Sequence, residues 1–324
     1  MLQSQYKVKS LAFTVQASKL PLYFLIQLFQ LIYYLPKTSH YLCFFGGYHS
    51  VLPTVLGKIF RKKVFIQCGG TDAMNMPEIN YGNFRKKWLK MATIFSFKNC
   101  SKILPVANAL VLQDYTYDPR FSRRQGLHHL IPDLKTTIEV VHNGFDTSFW
   151  KDHQMDKKPF SFITVAAGIT KQNRAAVKGI DLVLEMARGF PQYHFTLVGD
   201  SLFECDLPNV RVIGKLNSKK LKDLFNKHQF YLQLSLSEGF PNALAEAMLC
   251  GCIPIGSSVG AIPEIIGDYG FILDKKDPIL LQQIFHSLNN HNLTQLRKEV
   301  SSHIQRNFPY SKRQKALLSL FEQN

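Results

Sequence analysis

Acidic residues are scarce in this sequence. The 324 residues include 23 Asp and Glu against 39 Lys and Arg, for a formal net charge of +16. The deficit is uneven, because residues 1–140 carry 18 basic and 6 acidic side chains while residues 141–324 carry 21 and 17. The first part of the chain therefore calls for an acidic partner, either an anionic membrane surface or nucleic acid. Cysteine is sparse as well. The six thiols at Cys43, Cys68, Cys100, Cys205, Cys250 and Cys252 have no framework spacing, which excludes a disulfide scaffold and indicates reduced thiols in a cytoplasmic protein. Cys250 and Cys252 flank Gly251 without a second Cys/His pair nearby, so buried thiols are favoured over a zinc site. Long apolar runs are missing. Residues 22–35 are mostly apolar but number only 14 and include Gln27 and Gln30, short of the ~20 residues that span a bilayer. They read as a buried or interfacial helix. The opening "MLQSQYKVKS" lacks the apolar core and small-residue cleavage site of a signal peptide. Fixed-period repeats and low-complexity tracts are absent too.

What is present is a chain with 46% hydrophobic and 19% charged residues, enough to bury a core and long enough for two domains. Short branched and aromatic runs alternate with helical segments. "YLCFF" and "KVFIQC" flank "SVLPTVLGKIF" as a βαβ unit. After residue 150 the order is "FSFITVAAG", "GIDLVLEMARGF", "YHFTLVGD", "SKKLKDLFNKH", "FYLQLSLSEG", a short helix, then "CIPIGS". Strands that end at Gly, Asp or Ser and lead into helices describe a doubly wound parallel sheet. Its ligands bind outside the carboxyl ends of the strands, at the loops after Gly168, Val198, Gly214, Ser235 and Gly256. The Asn-Gly and charged run in "VVHNGFDTSFWKDHQMDKKPF" marks the boundary. The expected division is one Rossmann-like domain over 1–145, a second over 146–305, and a C-terminal helix over 306–324 that packs back toward the first domain.

The densest chemistry lies in "LSLSEGFPNALAEAMLCG". A strand over 230–235 leads to a loop over 236–241, and Asn242 is expected to cap a helix that runs to Leu249 and stops at Gly251. Backbone N–H groups around residues 240–243 then face the strand-end cleft, a setting that suits a phosphate. Glu238 sits beside that anion site, and Glu246 lies one helical turn after Asn242 on the same face. Carboxylates beside a phosphate make sense as acceptors for sugar hydroxyls, which points to a nucleotide sugar. Two solvated carboxylates remain the alternative.

These residues carry a resemblance. "SLSEGFPNALAEAMLCGCIPIGSSVGAIPEII", with its E-x7-E spacing, resembles the donor segment of glycosyltransferase family 4, and "VVHNGFDTSFW", "VKGIDLVLEMA", "LVGD" and "VIGKL" resemble further family motifs. "GGTDAMNMPEINYGNF" is similar to a first-domain loop of some bacterial members. The resemblance implies the GT-B fold, two Rossmann-like domains facing across a cleft, and retaining transfer of a sugar from a nucleotide donor to an acceptor hydroxyl. No cofactor and no metal are implied, in line with the lack of an Asp-x-Asp motif. By position, Glu238 meets donor-sugar hydroxyls, Gly239 and Phe240 offer backbone N–H groups beside Asn242 and Ala243, and Glu246 holds the ribose. Lys178 neutralises the departing diphosphate, and Gly199 and Leu216 lie in the nucleotide-base loops. The family's Gly-Arg pair reads Gly168-Ile169 here, so Arg174 is the preferred substitute, with Lys171 the other candidate. The opening lacks the family's glycine-rich loop, which implies a trimmed or divergent first domain.

In the first domain, His49 either positions an acceptor hydroxyl or is structural, and Asp72 is either an acceptor-side base or an Asx-turn residue. Basic clusters at 61–63, 85–90 and 120–124 are solvated faces or a membrane-docking surface. The expected setting is cytoplasmic, peripheral on the inner face of the plasma membrane, in bacterial cell-surface polysaccharide assembly with a carbohydrate or lipid-linked acceptor. A non-catalytic GT-B scaffold is the competing reading. A nucleic-acid partner is disfavoured because the acidic pair would have no purpose.

Overall fold

The alternation of apolar runs and helical segments organises two separate parallel sheets in the computed structural model, which describes residues 2–13, 17–171 and 173–322. The chain divides into two compact units: Met1–Asp114, Ser122–His142 and Ser311–Asn324 form the first, and Tyr115–Phe121 with Asn143–Tyr310 form the second.

In the first unit, strands β1 (His40–Phe44), β2 (Lys63–Cys68) and β3 (Lys102–Pro105) pair in parallel in the order β1-β2-β3. Helix α1 (Leu20–Tyr34) precedes the sheet, and α2 (Tyr48–Ile59) and α3 (Lys87–Asn99) make the crossovers. The β2 side chains divide by pleat. Val64 faces α2, which approaches so closely at Gly57 that a Cβ there would lie 2.2 Å from Val64 Cγ2. Phe65 points the other way and packs with Leu104, Val141, Leu317, Leu320 and Phe321, the last three from the terminal helix Tyr310–Glu322. That helix is anchored by Arg313, whose guanidinium donates to Val141 O at 3.1 Å, His142 O at 2.6 Å and Gln67 Oε1 at 2.6 Å. A two-residue ladder, β4 (Gln113–Asp114) with β5 (Arg124–Gln125), and the short α4 (Leu127–Leu130) complete this unit.

The second unit is the doubly wound sheet. Strands β6 (Lys158–Val165), β7 (His194–Val198), β8 (Val210–Ile213), β9 (His228–Gln233), β10 (Ile253–Ser257) and β11 (Phe271–Leu273) are all parallel, in the order β11-β10-β9-β6-β7-β8. The chain starts at β6, builds outward to β8, and returns to lay β9 on the other side of β6. The strand order therefore reverses between β6 and β9, and the loops leaving those two strands diverge over a ready-made crevice. Helices α5 (Arg174–Val177), α6 (Ile180–Gly189), α7 (Ser218–Lys227), α8 (Asn242–Leu249), α9 (Ile262–Ile266), α10 (Pro278–Ser287) and α11 (Leu293–Asn307) make the connections. Phe162 centres the core, stacked on Phe195, Phe230 and Phe285 with centroids 4.6–5.1 Å apart. β9 stops at Gln233, two residues before the expected Ser235, because Gln233 and Ser235 turn their side chains to a carboxylate in the following loop.

Replacing Arg313 by Met should leave three acceptors without their donor at a partly buried seam, at a cost of about 2 kcal/mol. Urea unfolding followed by circular dichroism should show the lower midpoint with an unchanged slope.

Candidate functional site

The residues singled out in the second half converge where the strand order reverses. After β6 the chain turns at Gly168, in a left-handed conformation with φ +64°. A Cβ on Gly168 would lie 3.2 Å from Arg174 Nη1, so the Arg174 guanidinium rests against the strand end that the family pattern would furnish with its own arginine. α5 then delivers Lys178, and the next residue, Gly179, has φ +69°. A Cβ on Gly179 would sit 2.0 Å from Leu234 O, a clash that only glycine avoids. This close approach joins the β6 and β9 loops, and Leu236 N–H donates to Val177 O at 2.8 Å.

Glu238 is the hub of the joined loops. Its Oε1 accepts from Lys178 Nζ at 2.5 Å, Ser235 Oγ at 2.8 Å and Gln233 Nε2 at 3.1 Å, while Tyr231 donates to Gln233 Oε1 at 3.2 Å. The carboxylate is mostly buried, with 12% of its side chain exposed. All of these bonds fall on Oε1. The second oxygen, Oε2, accepts no hydrogen bond among the described residues and remains available to an outside donor. From the other side, Gly260 (φ +55°) presses so close that a Cβ would lie 2.0 Å from Glu238 O, and Ala261 N–H donates to Gly239 O.

Past the loop, α8 begins at Asn242 with Pro241 at its cap position and no side-chain cap bond. The expected Asn242 cap is thus corrected. This residue lies inside the first turn, and its Oδ1 instead accepts from Asn143 Nδ2 at 2.9 Å. The Phe240 ring is buried against Phe145 and Phe308, so only its backbone is placed to serve a ligand. Ala243 is half-buried on the first turn of α8. The side-chain carboxyl of Glu246, one turn on, has no hydrogen-bond or ion-pair partner among the described residues. Burial pushes its carboxyl up from 4.5 to about 7, because nothing compensates the lost hydration of the charge.

The two expected base-loop residues follow the next strands of the sheet, β7 and β8. Gly199 closes β7 with its Cα so near Ala166 that a Cβ would lie 2.7 Å from Ala166 O. Leu216 is half-buried after β8. Sequence reasoning missed Asp200, whose Oδ2 accepts from Thr170 N at 3.0 Å and Thr170 Oγ1 at 2.7 Å and so ties the β7 loop to the β6 loop. It missed Gln233 and Ser235 too, although their period-two spacing ahead of Glu238 was a readable signal.

Of the two residues named in the first unit, His49 lies in the first turn of α2, shortly after β1, and Asp72 lies in the turn that follows β2. Asp72 is fully buried, and its oxygens accept from the N–H groups of Gly46, Gly69 and Gly70 and from the Cys68 thiol. Of its two readings the geometry favours loop organisation, since a carboxylate with four internal donors and no exposed surface has no acceptor hydroxyl to meet. His49 is half-buried, its Nε2 lies 2.6 Å from Phe44 O, and its ring sits against Phe13.

Residues 169–305 match the family described as Glycosyl transferases group 1. The same architecture recurs in solved structures. Sucrose-phosphate synthase from Thermosynechococcus elongatus superposes with a TM-score of 0.71 at 14% identity, over 96% of this chain and 80% of that one. Anabaena Alr3699/HepE, solved in complex with UDP and glucose, gives 0.69 at 16% identity over 96% and 84%. The fold is GT-B. Within this GT-B chain the group 1 match opens directly after Gly168 and takes in Lys178, Glu238 and Glu246. In sequence the chain is similar to the phosphatidylinositol N-acetylglucosaminyltransferase gpi3 subunit of Schizosaccharomyces pombe, 29% identical over 28% of this chain and 23% of that protein. O-antigen chain mannosyltransferase B of Escherichia coli is 32% identical over 21% of this chain and 18% of its own length. The chain spans about a third of the length of the first curated relatives it matches.

The raised Glu246 carboxyl has a consequence for stability. Below 4.5 the group is protonated whether the chain is folded or not. Between 4.5 and about 7 the unfolded chain loses this proton while the fold keeps it, so the fold loses stability as pH rises through that window. Glu246→Gln removes this dependence. Denaturant titrations should therefore find the variant more stable than the parent at pH 8 and level with it near pH 4, the ordinary carboxylate range.

Proposed function

We propose that this chain is a retaining glycosyltransferase of family 4 that moves a sugar from a nucleotide donor to an acceptor hydroxyl. The observation that carries the reading is the Glu238 carboxylate, with Oε1 saturated by internal donors and Oε2 left over, set beside Lys178 at the point of strand reversal and followed by the unpartnered Glu246. Pre-organised groups of this kind favour charge that develops during reaction. Oε2 of Glu238 takes a donor-sugar hydroxyl next to the reacting carbon. Glu246 takes the ribose hydroxyls. Lys178 keeps two ammonium protons beyond the one given to Glu238, and with Arg174 it meets the charge that builds on the diphosphate as the glycosidic bond breaks. Gly239, the Phe240 backbone, Asn242 and Ala243 surround the phosphates at the start of α8, where the helix dipole favours an anion. The reading assigns neutralisation of the phosphates to these side chains and to no metal ion. HepE, solved with UDP-glucose, supports a nucleotide-sugar donor by likeness of fold.

The named relatives bear on the acceptor. One carries phosphatidylinositol in its name and another an O-antigen chain, and both support a lipid-linked acceptor at a membrane surface in cell-surface glycan assembly. The basic first unit fits the same setting.

The two glutamates should fail differently. With UDP as the probe in calorimetry, Glu246→Ala should bind about tenfold to a hundredfold more weakly, the worth of a hydrogen bond to a charged group. Glu238→Ala should bind UDP like the parent yet lose most sugar transfer, since its partner is at the reacting centre. Equal loss of UDP by both variants, or full activity in both, overturns the assignment. Because ionised Glu246 is the better acceptor, UDP affinity should also fall as pH drops below about 7, and Glu246→Gln should flatten that dependence. Lys178→Ala should nearly abolish turnover, and excess chelator should leave the parent's turnover unchanged.

A further inference from the structure

Helix α1 is built with its polarity inverted. On a helix packed over a soluble core the polar side chains face water. Here Gln27 is buried and its amide donates to His49 O at 2.7 Å, and Leu31 is buried beside it. Leu22, Leu25, Ile26, Phe29, Ile32 and Tyr33 are instead 42–76% exposed. Their spacing of three and four places them on one stripe along the whole helix. The helix holds no charged residue in its 15 positions.

A second stripe lies on α3, where Trp88, Met91 and Phe95 are 67%, 52% and 39% exposed. α2 packs against both α1 and α3, so the two stripes belong to one helical layer of the first unit. Around the α3 stripe stand Lys86, Lys87, Lys90 and Lys98, all exposed. Lys98 pairs with Asp133, whereas Lys86, Lys87 and Lys90 have no acidic partner among the described residues. Lys58, Arg61, Lys62 and Lys63 add to the positive charge around an open depression at the ends of α2 and α3. Acids are rare along this part of the chain. The first 71 residues contain neither Asp nor Glu, and none occurs between Glu78 and Asp114.

An apolar stripe rimmed by cations and poor in anions complements one kind of surface, a bilayer with acidic headgroups. None of the described helices is long and apolar enough to cross a membrane, which leaves α1 lying along the interface. We propose that the first unit docks on anionic membranes through this layer, with the outward stripe of α1 and Trp88 at the boundary between headgroups and acyl chains and the α3 lysines on the headgroup phosphates. The proposal rests on the membrane-linked acceptor reading for its purpose, and it names the face that reading leaves open.

The two tryptophans make the test direct, because Trp150 is buried whereas Trp88 is exposed. Full-length protein is floated with vesicles of phosphatidylcholine alone or mixed with phosphatidylglycerol, and tryptophan emission is recorded. The expected result is flotation with the mixed vesicles and a shift of emission to shorter wavelength that Trp88→Phe abolishes. Leu25→Gln, Phe29→Gln and Ile32→Gln together change only exposed positions, so circular dichroism should be unaltered while vesicle partitioning falls about tenfold or more. Lack of flotation overturns the proposal, as does flotation of the triple variant equal to the parent or with Trp88 emission unmoved. A parent that ignores vesicles but forms dimers which the triple variant dissolves would overturn it as well and assign the stripe to a second copy of the chain. Flotation needs no nucleotide sugar. A chain that floats without transferring sugar leaves this proposal standing, and one that transfers sugar yet ignores vesicles removes it alone.

Discussion

The approach of Gly179 to the Leu234 carbonyl is the constraint on which the second unit's chemistry depends. Two strands on either side of a reversal would ordinarily send their loops apart, and the crevice between them would be wide and empty. A residue without a Cβ, held in a left-handed conformation, lets the chain after α5 press onto the end of β9. Lys178 is then fixed beside Glu238 by neighbouring backbone rather than by its own flexible stem. The carboxylate is further aligned by Ser235 and Gln233, so one of its oxygens is occupied before any ligand arrives. Under the proposed transfer, donors placed in advance lower the reorganisation that a reacting charge would otherwise demand.

The same unit shows two ways of treating a buried acid. Glu238 is given three donors, and Glu246, eight positions later in the sequence, is given none among the described residues. Their environments separate them: the carboxylate of one is held by internal donors, and that of the other is pushed up to about 7 by burial alone. A pair of like groups tuned apart in this way is suited to different partners, and the difference arises from what each helix or loop presents rather than from the residue type.

The first unit departs from a self-contained globular design at its outer helices. Its sheet is covered on one side by the terminal helix through Phe65, Leu104 and Phe321, and on the other by α2 and α3. The outward stripe of α1 contributes nothing to that core. Apolar surface kept in water costs free energy that a polar surface would not, and a buried glutamine opposite it removes the simple account that the helix is merely packed loosely.

Much of this was legible along the chain. Apolar runs ending in Gly, Asp or Ser identify the parallel strands, because a strand buried on both faces must be apolar throughout. The dense block from Ser235 to Ile266 makes the strand-end position of Glu238 and the helix position of Glu246 readable, since a strand, its following loop and the next helix are neighbours in sequence. Other features depend on residues far apart in the chain. That Glu238 meets Lys178, sixty positions earlier, requires the β9 return across β6. That Asp72 serves the loop of Gly46 requires β1 and β2 side by side. Pro241, not Asn242, at the α8 cap follows from Asn143 drawing the Asn242 side chain away. A hydropathy pattern reports that residues 22–35 form an apolar helix but not which stripe faces inward. Only packing against α2 decides that, by turning Gln27 to the His49 carbonyl and leaving Phe29 in the open.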